Sequence, residues 1–399
     1  MISGKNIVVV GLQPWDIAIG SNCKNIAAEL AKENRVLYVN PPLDRVTYLK
    51  TRQKPEVVTR LEVIQGKKEA LTQIHENLWS LQPSVIAESI NWIRNDYLFR
   101  MMNRVNNRRL ANEIQGAMIA LGFDEHILFN DQSMIRCYHL KEYLKPEIFI
   151  YYIRDNLKSI SYFKRHALKM EEELITSADI VVTNSGYLAD FARTLNPNAH
   201  FVGQGCDFTL FSDPSQIPVS EEMCSIPKPI LGYVGFLTDV RLDINLLVNI
   251  AKSRPNWNLV LVGPEDKAFK KSELHQLSNV YFLGDKKPVH LPQFIQGFDI
   301  ALNPQVINEV TTGNYPRKID EYLAMGKPTV ATQTPFMDYF KDYTYLARTP
   351  DEYLTQISKA MNENSKDFEN ARREFAMTHT WEQCVQKISE HIATYQFTS

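Results

Sequence analysis

The chain has 399 residues, of which 44% are hydrophobic and 23% are charged, and its net charge at pH 7 is −2. This length exceeds the size at which a single hydrophobic core stops growing, so it predicts two domains. The composition is that of an ordinary soluble globular protein, and the near-zero charge excludes a global field that would recruit nucleic acid.

The compartment is indicated by cysteine use and by apolar runs. The five cysteines are scattered without a Cys-x-x-Cys pair, which is typical of reduced thiols. The apolar run at 7–10 is too short for a signal peptide core, and no stretch approaches the roughly 18 apolar residues of a membrane-spanning helix. We expect a cytoplasmic protein, either free or peripheral at the inner face of the cell membrane.

Strand and helix patterns alternate from the beginning of the chain. A short apolar run is followed by a segment with apolar side chains at helical spacing and then by a second apolar run, at 6–11, 21–34 and 36–39. This β–loop–α–β order is typical of a parallel doubly wound sheet. Further strands are predicted at 127–129, 148–152 and 180–183.

A basic amphipathic helix is predicted at 91–110. Its cations are Arg94, Arg100, Arg104, Arg108 and Arg109, against the single acid Asp96. The apolar side chains between them are Trp92, Ile93, Tyr97, Leu98, Met101, Met102 and Val105. Such a helix either lies in an anionic membrane interface or packs on its own domain with a solvated basic face.

The second half of the chain repeats the alternation. Residues 203–229 are irregular and rich in Pro, Asp and Ser, which indicates a linker. A helix is predicted at 243–252, and strands are predicted at 230–235, 258–263, 280–283, 299–302 and 328–332. The C-terminal region, 351–395, is predicted to be wholly helical.

The segment 314–332 is the most informative stretch. Pro316 opens a predicted helix that Gly326 ends, and Lys318 and Glu321 share one face of its first turns. A helix start favours an anion such as a diphosphate, Lys318 adds a full charge there, and Glu321 can accept hydrogen bonds from a ribose diol. The alternative is an ordinary surface helix with an i,i+3 Lys–Glu pair.

This segment resembles the donor-site helix of family 4-type glycosyltransferases, in which a Pro-x-Lys-x-x-Glu-Tyr-x-Ala-x-Gly-Lys-Pro run grips the nucleotide. The resemblance continues over about residues 203–390, including Gly-Cys-Asp at 205–207, Leu-Gly-Tyr-Val-Gly at 231–235 and Thr-Trp at 380–381. It implies the α/β fold called GT-B, in which two Rossmann-like doubly wound domains face a cleft. The expected domains are 1–208 with the returning C-terminal helix 380–399, which bind the acceptor, and 209–379, which bind the donor.

The resemblance also assigns donor-binding residues. It implies that Lys318 binds the diphosphate and Glu321 the ribose, and that base recognition lies near Gly284 and Lys286. The family's first Glu of the donor helix falls on Gly313, and its Arg after the first strand falls on Phe236. The complete set of expected donor-binding residues is Gly235, Arg241, Gly284, Asn314, Tyr315, Lys318 and Glu321.

Acceptor and catalytic residues are expected at strand ends of the first domain. The loop 11–21 lacks a Gly-x-Gly-x-x-Gly spacing, and its Trp15, Asp16 and Ser21 are expected to contact the acceptor. Asp131 and Asp155 each follow a strand, and a carboxylate there can accept the proton of an acceptor hydroxyl. The alternative for Asp155 is a helix N-cap.

The expected function is transfer of a sugar from a nucleotide-diphosphate donor, UDP rather than GDP, to a hydroxyl of a glycan or lipid-linked acceptor in bacterial surface-polysaccharide assembly. The resemblance implies retention of the anomeric configuration. No metal-ligand cluster and no Asp-x-Asp pair is visible, so no cofactor and metal-independent transfer are expected, with no nucleic-acid partner. Two alternatives stay open: a glycosyltransferase-like subunit that binds nucleotide or a partner without turnover, and a UDP-sugar epimerase.

Overall fold

The protein is described by a computed structural model, which defines residues 1–16, 21–50, 54–157, 163, 165–211 and 213–398. The chain divides into two compact units. Unit 1 comprises Met1–Gly205 together with Trp381–Ser399, and unit 2 comprises Cys206–Thr380. Each unit is a parallel α/β structure with its own core.

The described residues of unit 1 that precede unit 2 form ten strands and seven helices. The strands are β1 (Asn6–Val10), β2 (Arg35–Val39), β3 (Leu43–Asp44), β4 (Leu71–His75), β5 (Leu78–Leu81), β6 (Ile86–Ala87), β7 (Ile127–Asp131), β8 (Ile148–Ile153), β9 (Ile180–Thr183) and β10 (Ala199–Phe201). The helices are α1 (Asn22–Leu30), α2 (Arg45–Lys50), α3 (Pro55–Ile64), α4 (Asp96–Leu121), α5 (Leu140–Leu144), α6 (Ala167–Ser177) and α7 (Gly186–Arg193).

The main sheet of unit 1 has the order β10-β9-β8-β7-β1-β2-β5-β4. Its neighbouring strands are parallel except for β4 and β5, which form an antiparallel pair. Strands β3 and β6 form a separate two-stranded sheet. The carboxyl ends of the central strands β1 and β7 therefore meet at one edge, where polar side chains of the following loops can converge.

Burial on both faces explains the apolar sequence of β1. Successive strand residues point to opposite faces, so Val8 and Val10 pack in one core cluster and Ile7 and Val9 in another. The first cluster includes α4 side chains such as Ile114. The second includes side chains of α1 and of the final helix of the chain. Helices thus cover both sides of the sheet.

Unit 2 is built around one parallel sheet with the order β13-β12-β11-β14-β15-β16. Its strands are β11 (Ile230–Val234), β12 (Asn258–Val262), β13 (Val280–Gly284), β14 (Ile300–Asn303), β15 (Thr329–Thr332) and β16 (Tyr345–Ala347). Its helices are α8 (Ile244–Ser253), α9 (Leu291–Gly297), α10 (Arg317–Ala324), α11 (Pro350–Glu363) and α12 (Lys366–Met377). The chain then returns to unit 1 as α13 (Trp381–Thr398), which packs on α1 and β9.

Most predicted elements are confirmed, one hairpin is not predicted, and the bounds of one helix need correction. The β4–β5 hairpin was not predicted, because β4 (Leu-Thr-Gln-Ile-His) carries few apolar residues and is largely exposed. The helix predicted at 91–110 begins at Asp96 and continues to Leu121. Its start is set by Asn95, whose side chain accepts a hydrogen bond from the Leu98 backbone N–H. Among the described residues, no helix has the length and hydropathy needed to cross a membrane.

A tight contact between Gly232 in β11 and Phe298, which precedes β14, gives a first prediction. A Cβ at Gly232 would lie 2.1 Å from Cδ1 of the buried Phe298. We expect Gly232→Ala to lower the free energy of unfolding by about 1–3 kcal/mol through overpacking. Calorimetric unfolding would measure this loss.

The matched control is Gly116→Ala in α4, where a Cβ would meet no atom within 4 Å. Alanine is the better helix former there, so this variant should be as stable as the parent or more stable by up to about 1 kcal/mol. Equal destabilisation by both substitutions would contradict the packing argument.

Candidate functional site

The end of β11 in unit 2 leaves space for the Lys318 side chain. Gly235 follows the strand with φ +140°, and its N–H donates to the Val262 carbonyl at 2.7 Å. A Cβ at Gly235 would lie 2.4 Å from Nζ of Lys318 and 2.3 Å from its Cε. Only glycine fits this backbone conformation together with the lysine. The Lys318 ammonium therefore rests directly on the main chain at a strand end.

Lys318 is a partly buried cation in the first turn of α10. Its Nζ lies 5.8 Å from the centroid of the Tyr233 ring. Burial lowers the pKa of Lys318, the charges of Arg317 and Arg241 lower it further, and Glu321 opposes the shift. Lys318 makes no hydrogen bond or ion pair with a described residue. A desolvated, unpaired ammonium at a helix start is suited to an anionic ligand.

Glu321 lies one turn deeper on α10. Its side chain is buried, and its Oε1 lies 3.3 Å from Nη2 of Arg317. The Arg317 side chain is 46% exposed, so this contact sits at the edge of the site. The carboxylate has unused acceptor capacity, because ionised Glu offers about four lone-pair sites. Lys318 and Glu321 thus place a donor group and an acceptor group on one short helix.

A buried polar network that the sequence did not predict fixes α10. Asp320 is completely buried, and it accepts a hydrogen bond from the Tyr315 hydroxyl at 2.7 Å. Its other oxygen lies 2.7 Å from Nδ1 of His379, whose Nε2 lies 2.9 Å from the Tyr339 hydroxyl. Burial raises the pKa of Asp320, and the contact with His379 opposes the increase. The Tyr322 hydroxyl also accepts the N–H of Val234 at 3.0 Å.

Tyr315, expected to contact the donor, is held inside this network. Its side chain is buried, its hydroxyl is bonded to Asp320, and its ring packs against Phe336 and Phe340. Its contacts are therefore those of a residue that positions α10. The sequence signal for its partners was weak, because a single Asp and a single His separated by 58 intervening residues show no motif spacing.

The other expected donor-binding residues have varied environments. Arg241 is exposed and its side chain makes no hydrogen bond with a described residue. Gly284 ends β13 in an exposed position with φ +70°. Lys286, in contrast, is paired with both carboxylate oxygens of Glu222 at 2.7 Å. Arg241 and Gly284 remain accessible, whereas the charge of Lys286 is already neutralised.

Two buried amides in unit 2 carry atoms without a hydrogen-bond partner. Asn314 is buried, and its Oδ1 accepts no hydrogen bond from the described part of the chain. Asn303, the last residue of β14, is also buried, and its Nδ2 has no acceptor there. Buried polar atoms are nearly always partnered, so these two mark positions for a ligand or for water. No motif or residue spacing in the sequence marks Asn303.

Gly313 occupies the position where the family places its first Glu. Its φ is +83°, in the left-handed region that favours glycine. A glutamate side chain there would require a strained backbone, so the departure from the family pattern is built into the local conformation. The neighbouring Asn314 brings a buried side-chain oxygen to the same turn.

In unit 1, Asp131 lies beneath the surface at the end of β7. It is completely buried, and its Oδ2 accepts the N–H of Leu12 at 3.1 Å. The guanidinium of the nearly buried Arg154 lies 3.4 Å from its Oδ1. Burial raises the pKa of Asp131, and the charge of Arg154 opposes that increase. A carboxylate at a strand end is expected to project from the sheet, but the contacts of Asp131 make it the internal partner of Arg154.

Asp155 is the accessible acid of this edge. Its side chain is 45% exposed, and its Oδ2 lies 3.7 Å from Nε of Arg154. Its backbone is fixed by Gln132, which accepts the Asp155 N–H at 3.1 Å and donates to the Asp155 carbonyl at 2.7 Å. Of the two expected catalytic acids, only Asp155 is placed to touch a substrate.

The expected acceptor residues lie around the first loop, of which 17–20 are outside the described residues. The Trp15 N–H donates to Oδ1 of Asn40 at 2.6 Å, and its ring packs edge-on against Tyr38. Asp16 is exposed. Ser21 is buried just before α1, and its Oγ has no partner among the described residues. Trp15 is thus partly engaged in packing, while Asp16 and Ser21 retain free polar atoms.

No group of three or more His, Cys, Asp or Glu side chains in the described part of the chain is arranged to hold a metal ion. The titratable groups at the strand ends instead form cation–carboxylate pairs, such as Arg154 with Asp131. The described residues at these edges thus offer fixed charges, hydrogen-bond donors and carboxylates such as Asp155 and Glu321.

Residues 228–363 match the family model described as glycosyl transferases group 1. Most of unit 2 is therefore similar in sequence to group 1 glycosyl transferases. The matched range contains all of the expected donor-binding residues, from Gly235 to Glu321. A curated relative, the putative teichuronic acid biosynthesis glycosyltransferase TuaH of Bacillus subtilis (strain 168), is 28% identical over 252 residues. That match covers 60% of this chain and 62% of the relative, so the chain spans less than two thirds of the relative's length.

Comparison with solved structures establishes the fold of the chain. The sucrose-phosphate synthase of Thermosynechococcus elongatus matches with a TM-score of 0.68 and 13% identity, covering 99% of this chain and 100% of that one. HepE of Anabaena, solved in complex with UDP, matches with a TM-score of 0.66 and 15% identity, covering 98% and 100%. The prediction of a two-domain GT-B fold is confirmed.

The buried Asp131–Arg154 pair gives a second prediction. Asp131→Asn removes the charge that compensates a nearly buried guanidinium, so we expect the free energy of unfolding of unit 1 to fall by roughly 3 kcal/mol. Calorimetric unfolding of the whole chain would measure the loss.

Asp155→Asn is the matched control, since it removes the same charge at a 45% exposed side chain. Its cost should stay within about 1 kcal/mol, as for other exposed pairs. Similar losses in the two variants would show that the burial of Asp131 is not what makes the pair important.

Proposed function

We propose that this chain is a glycosyltransferase that moves a sugar from a nucleotide-diphosphate donor to a hydroxyl group of a glycan or lipid-linked acceptor in bacterial surface-polysaccharide assembly. The observation that carries the proposal is Lys318. Its partly buried ammonium lies on the backbone of Gly235 in the first turn of a helix, and it has no hydrogen-bond or ion-pair partner in the described part of the chain. The match to group 1 glycosyl transferases and the similarity to TuaH, whose name refers to teichuronic acid biosynthesis, support the same assignment.

The donor site is proposed to lie at the strand ends of unit 2. Lys318 and the N–H groups at the start of α10 bind the diphosphate, and Glu321 accepts hydrogen bonds from the ribose hydroxyls. The accessible Gly284 lies where the base would be recognised, and the unpaired Asn314 oxygen faces part of the donor. UDP is preferred over GDP, a choice supported by the HepE complex with UDP.

In the proposed reaction, the acceptor oxygen forms a bond to C1 of the donor sugar while the bond from C1 to the diphosphate oxygen breaks. Lys318 and Arg241 stabilise the negative charge that develops on the leaving diphosphate. In this proposal, these two side chains take the role that a metal ion has in metal-dependent transferases. Asp155 accepts the proton of the acceptor hydroxyl. Retention of configuration, as in the related family, places the attack on the face that the leaving group vacates.

A location at the inner face of the cell membrane is part of this proposal. The segment before α4 and its first turns expose Trp92, Tyr97, Leu98 and Met101, and the exposed Arg94 lies among them. Exposed aromatic and basic side chains together are typical of an interface with anionic lipids. Such contact would bring a lipid-linked acceptor to the enzyme.

A second candidate function is a glycosyltransferase-like subunit that binds nucleotide without turnover. Gly313 replaces the family Glu in a glycine-specific conformation, and Phe236, where the family has Arg, is 53% exposed. Release of free nucleotide diphosphate from a nucleotide sugar would distinguish the two candidates. Turnover supports the transferase, whereas tight binding without any release supports the inert subunit.

Nucleotide binding is the first test of the donor site. We expect one of UDP, GDP, ADP and CMP, with UDP favoured, to bind the parent protein in titration calorimetry. Glu321→Ala and Lys318→Met should each weaken that binding about tenfold or more, because each removes a charge-assisted hydrogen bond. Glu363→Ala, on the exposed end of α11 in the same unit, is the control and should bind like the parent. Equal affinity in all four proteins would place the nucleotide elsewhere.

The lowered pKa of Lys318 predicts a pH dependence of that binding. The cation is present below the lowered pKa and lost as pH rises through it, so affinity for the diphosphate should fall at a pH below 10.5, the ordinary lysine value. In Lys318→Met the affinity should be lower and flat over this range. Titration calorimetry across alkaline pH would record both profiles.

Lys327 supplies the control, because burial lowers its pKa to about 8 and its Nζ is bonded to the Gln296 carbonyl rather than exposed at the strand ends. Lys327→Met should keep the alkaline fall in affinity. The prediction is refuted if the affinity becomes independent of pH in Lys327→Met but still falls at alkaline pH in Lys318→Met, because the titrating group would then be Lys327.

A further inference from the structure

Unit 1 contains a cavity of about 390 Å³ that the proposed reaction does not use. It begins at the carboxyl ends of β1 and β7, where Leu12 and Gln132 line it. Gln132 also holds the backbone of Asp155 through two hydrogen bonds, which ties the cavity wall to the accessible acid. At the other end, the lining includes the exposed side chains of Val46 and Trp92.

The body of the cavity is apolar. Its walls include the buried side chains of Ile90, Leu110 and Met134 and the β6 residue Ala87. The side chains of the described residues do not fill this apolar space. Binding of an apolar chain in a cavity of this size and lining is favourable, because each methylene group that leaves water contributes to the free energy of binding.

Two groups on the wall carry unpaired hydrogen-bond donors. Asn103 is 1% exposed, and its Nδ2 has no acceptor among the described residues, while its Oδ1 accepts from Asn107 at 3.2 Å. Arg136 makes no hydrogen bond or ion pair with a described residue, and its guanidinium acts on Asp44 only through longer-range attraction. The buried Asn103 amide points to a hydrogen-bond acceptor inside the cavity, and the half-buried Arg136 can supply a positive charge to the same group.

The charged residues that line the cavity are Asp44, Glu88 and Arg136, and they differ in whether they have partners among the described residues. Glu88 is paired with Arg45 and lies 3.7 Å from Arg109. Asp44 accepts hydrogen bonds from Thr47 and Ser89, which hold it in place and lower its pKa. These two lining carboxylates are therefore already satisfied by partners. Arg136 is the charge that is left over.

We propose that this cavity binds the apolar portion of the acceptor, and that the acceptor is an anionic amphiphile: an apolar chain that carries a phosphate or carboxylate. The anionic group binds Arg136 and Asn103, the chain lies against Met134 and Leu110 and leaves past Trp92, and the part to be glycosylated lies toward Asp155. This inference rests on the proposed function, since it names the class of acceptor.

The test compares three probes on the full chain by titration calorimetry: octyl phosphate below its micelle concentration, 1-octanol, and inorganic phosphate. We expect octyl phosphate to bind at least about tenfold more tightly than either of the others, because only it uses both the apolar walls and the unpaired donors. Binding of inorganic phosphate as tightly as octyl phosphate would reduce the site to a simple anion site and overturn the proposal.

Variants separate the two contributions. Arg136→Gln should weaken octyl phosphate about tenfold while leaving 1-octanol unchanged, which also shows that unit 1 is folded. Ala87→Phe, which fills the cavity, should weaken both. Arg108→Gln is the matched control, because it removes an exposed charge that does not line the cavity. An equal loss in Arg108→Gln and Arg136→Gln would mean that general surface charge is responsible, against the proposal.

The same samples are titrated with UDP. If UDP binds in a Glu321-dependent manner and no amphiphile binds, the acceptor class is wrong while the proposed function stands. If UDP also fails to bind, the proposed function is refuted with it. The two failures are therefore distinguishable in one set of measurements.

Discussion

The candidate donor site depends on one unfavourable arrangement, the partial burial of an ammonium group without a partner. Desolvation lowers the pKa of Lys318, and two neighbouring cations add to that effect. A charge in this condition costs stability unless a ligand compensates it. The surrounding structure therefore has to hold the Lys318 side chain in place. Gly235 leaves the space for the ammonium group, and α10 sets its orientation. An arrangement that is costly when empty is what a preorganised anion site requires.

The rigidity comes from residues that do not face the ligand. Asp320 is fully buried between the Tyr315 hydroxyl and His379, and the Tyr322 hydroxyl ties α10 to the backbone of β11. Side chains on one face of α10 thus hold the helix while Lys318 and Glu321 occupy another. Unit 1 also combines a buried acid that fixes its neighbour with an accessible one. The buried Asp131 contacts Arg154, and the side chain of Asp155 is accessible to solvent.

The sequence was sufficient for the parts of the fold that follow from local pattern. Buried parallel strands such as β1 and β9 read as short apolar runs, and α10 was recognised from Pro316, Lys318, Glu321 and Gly326. The exposed hairpin strand β4 was missed because its side chains are largely polar. The partners of Tyr315 could not be predicted, because the contact from Asp320 to His379 joins residues far apart in the chain. For the same reason, no local pattern could reveal that Asp131 would be buried against Arg154 or that a cavity would form beside Asp155.

The close approach of Gly235 to Lys318 also has an evolutionary consequence. Any larger residue at 235 would occupy the space of the lysine's terminal atoms, and a shorter residue at 318 would leave that space empty. The two positions can therefore change together but hardly one at a time. In a lineage that kept the fold and abandoned the donor site, we expect both to drift as a pair, so that the loss of one signals the loss of the other.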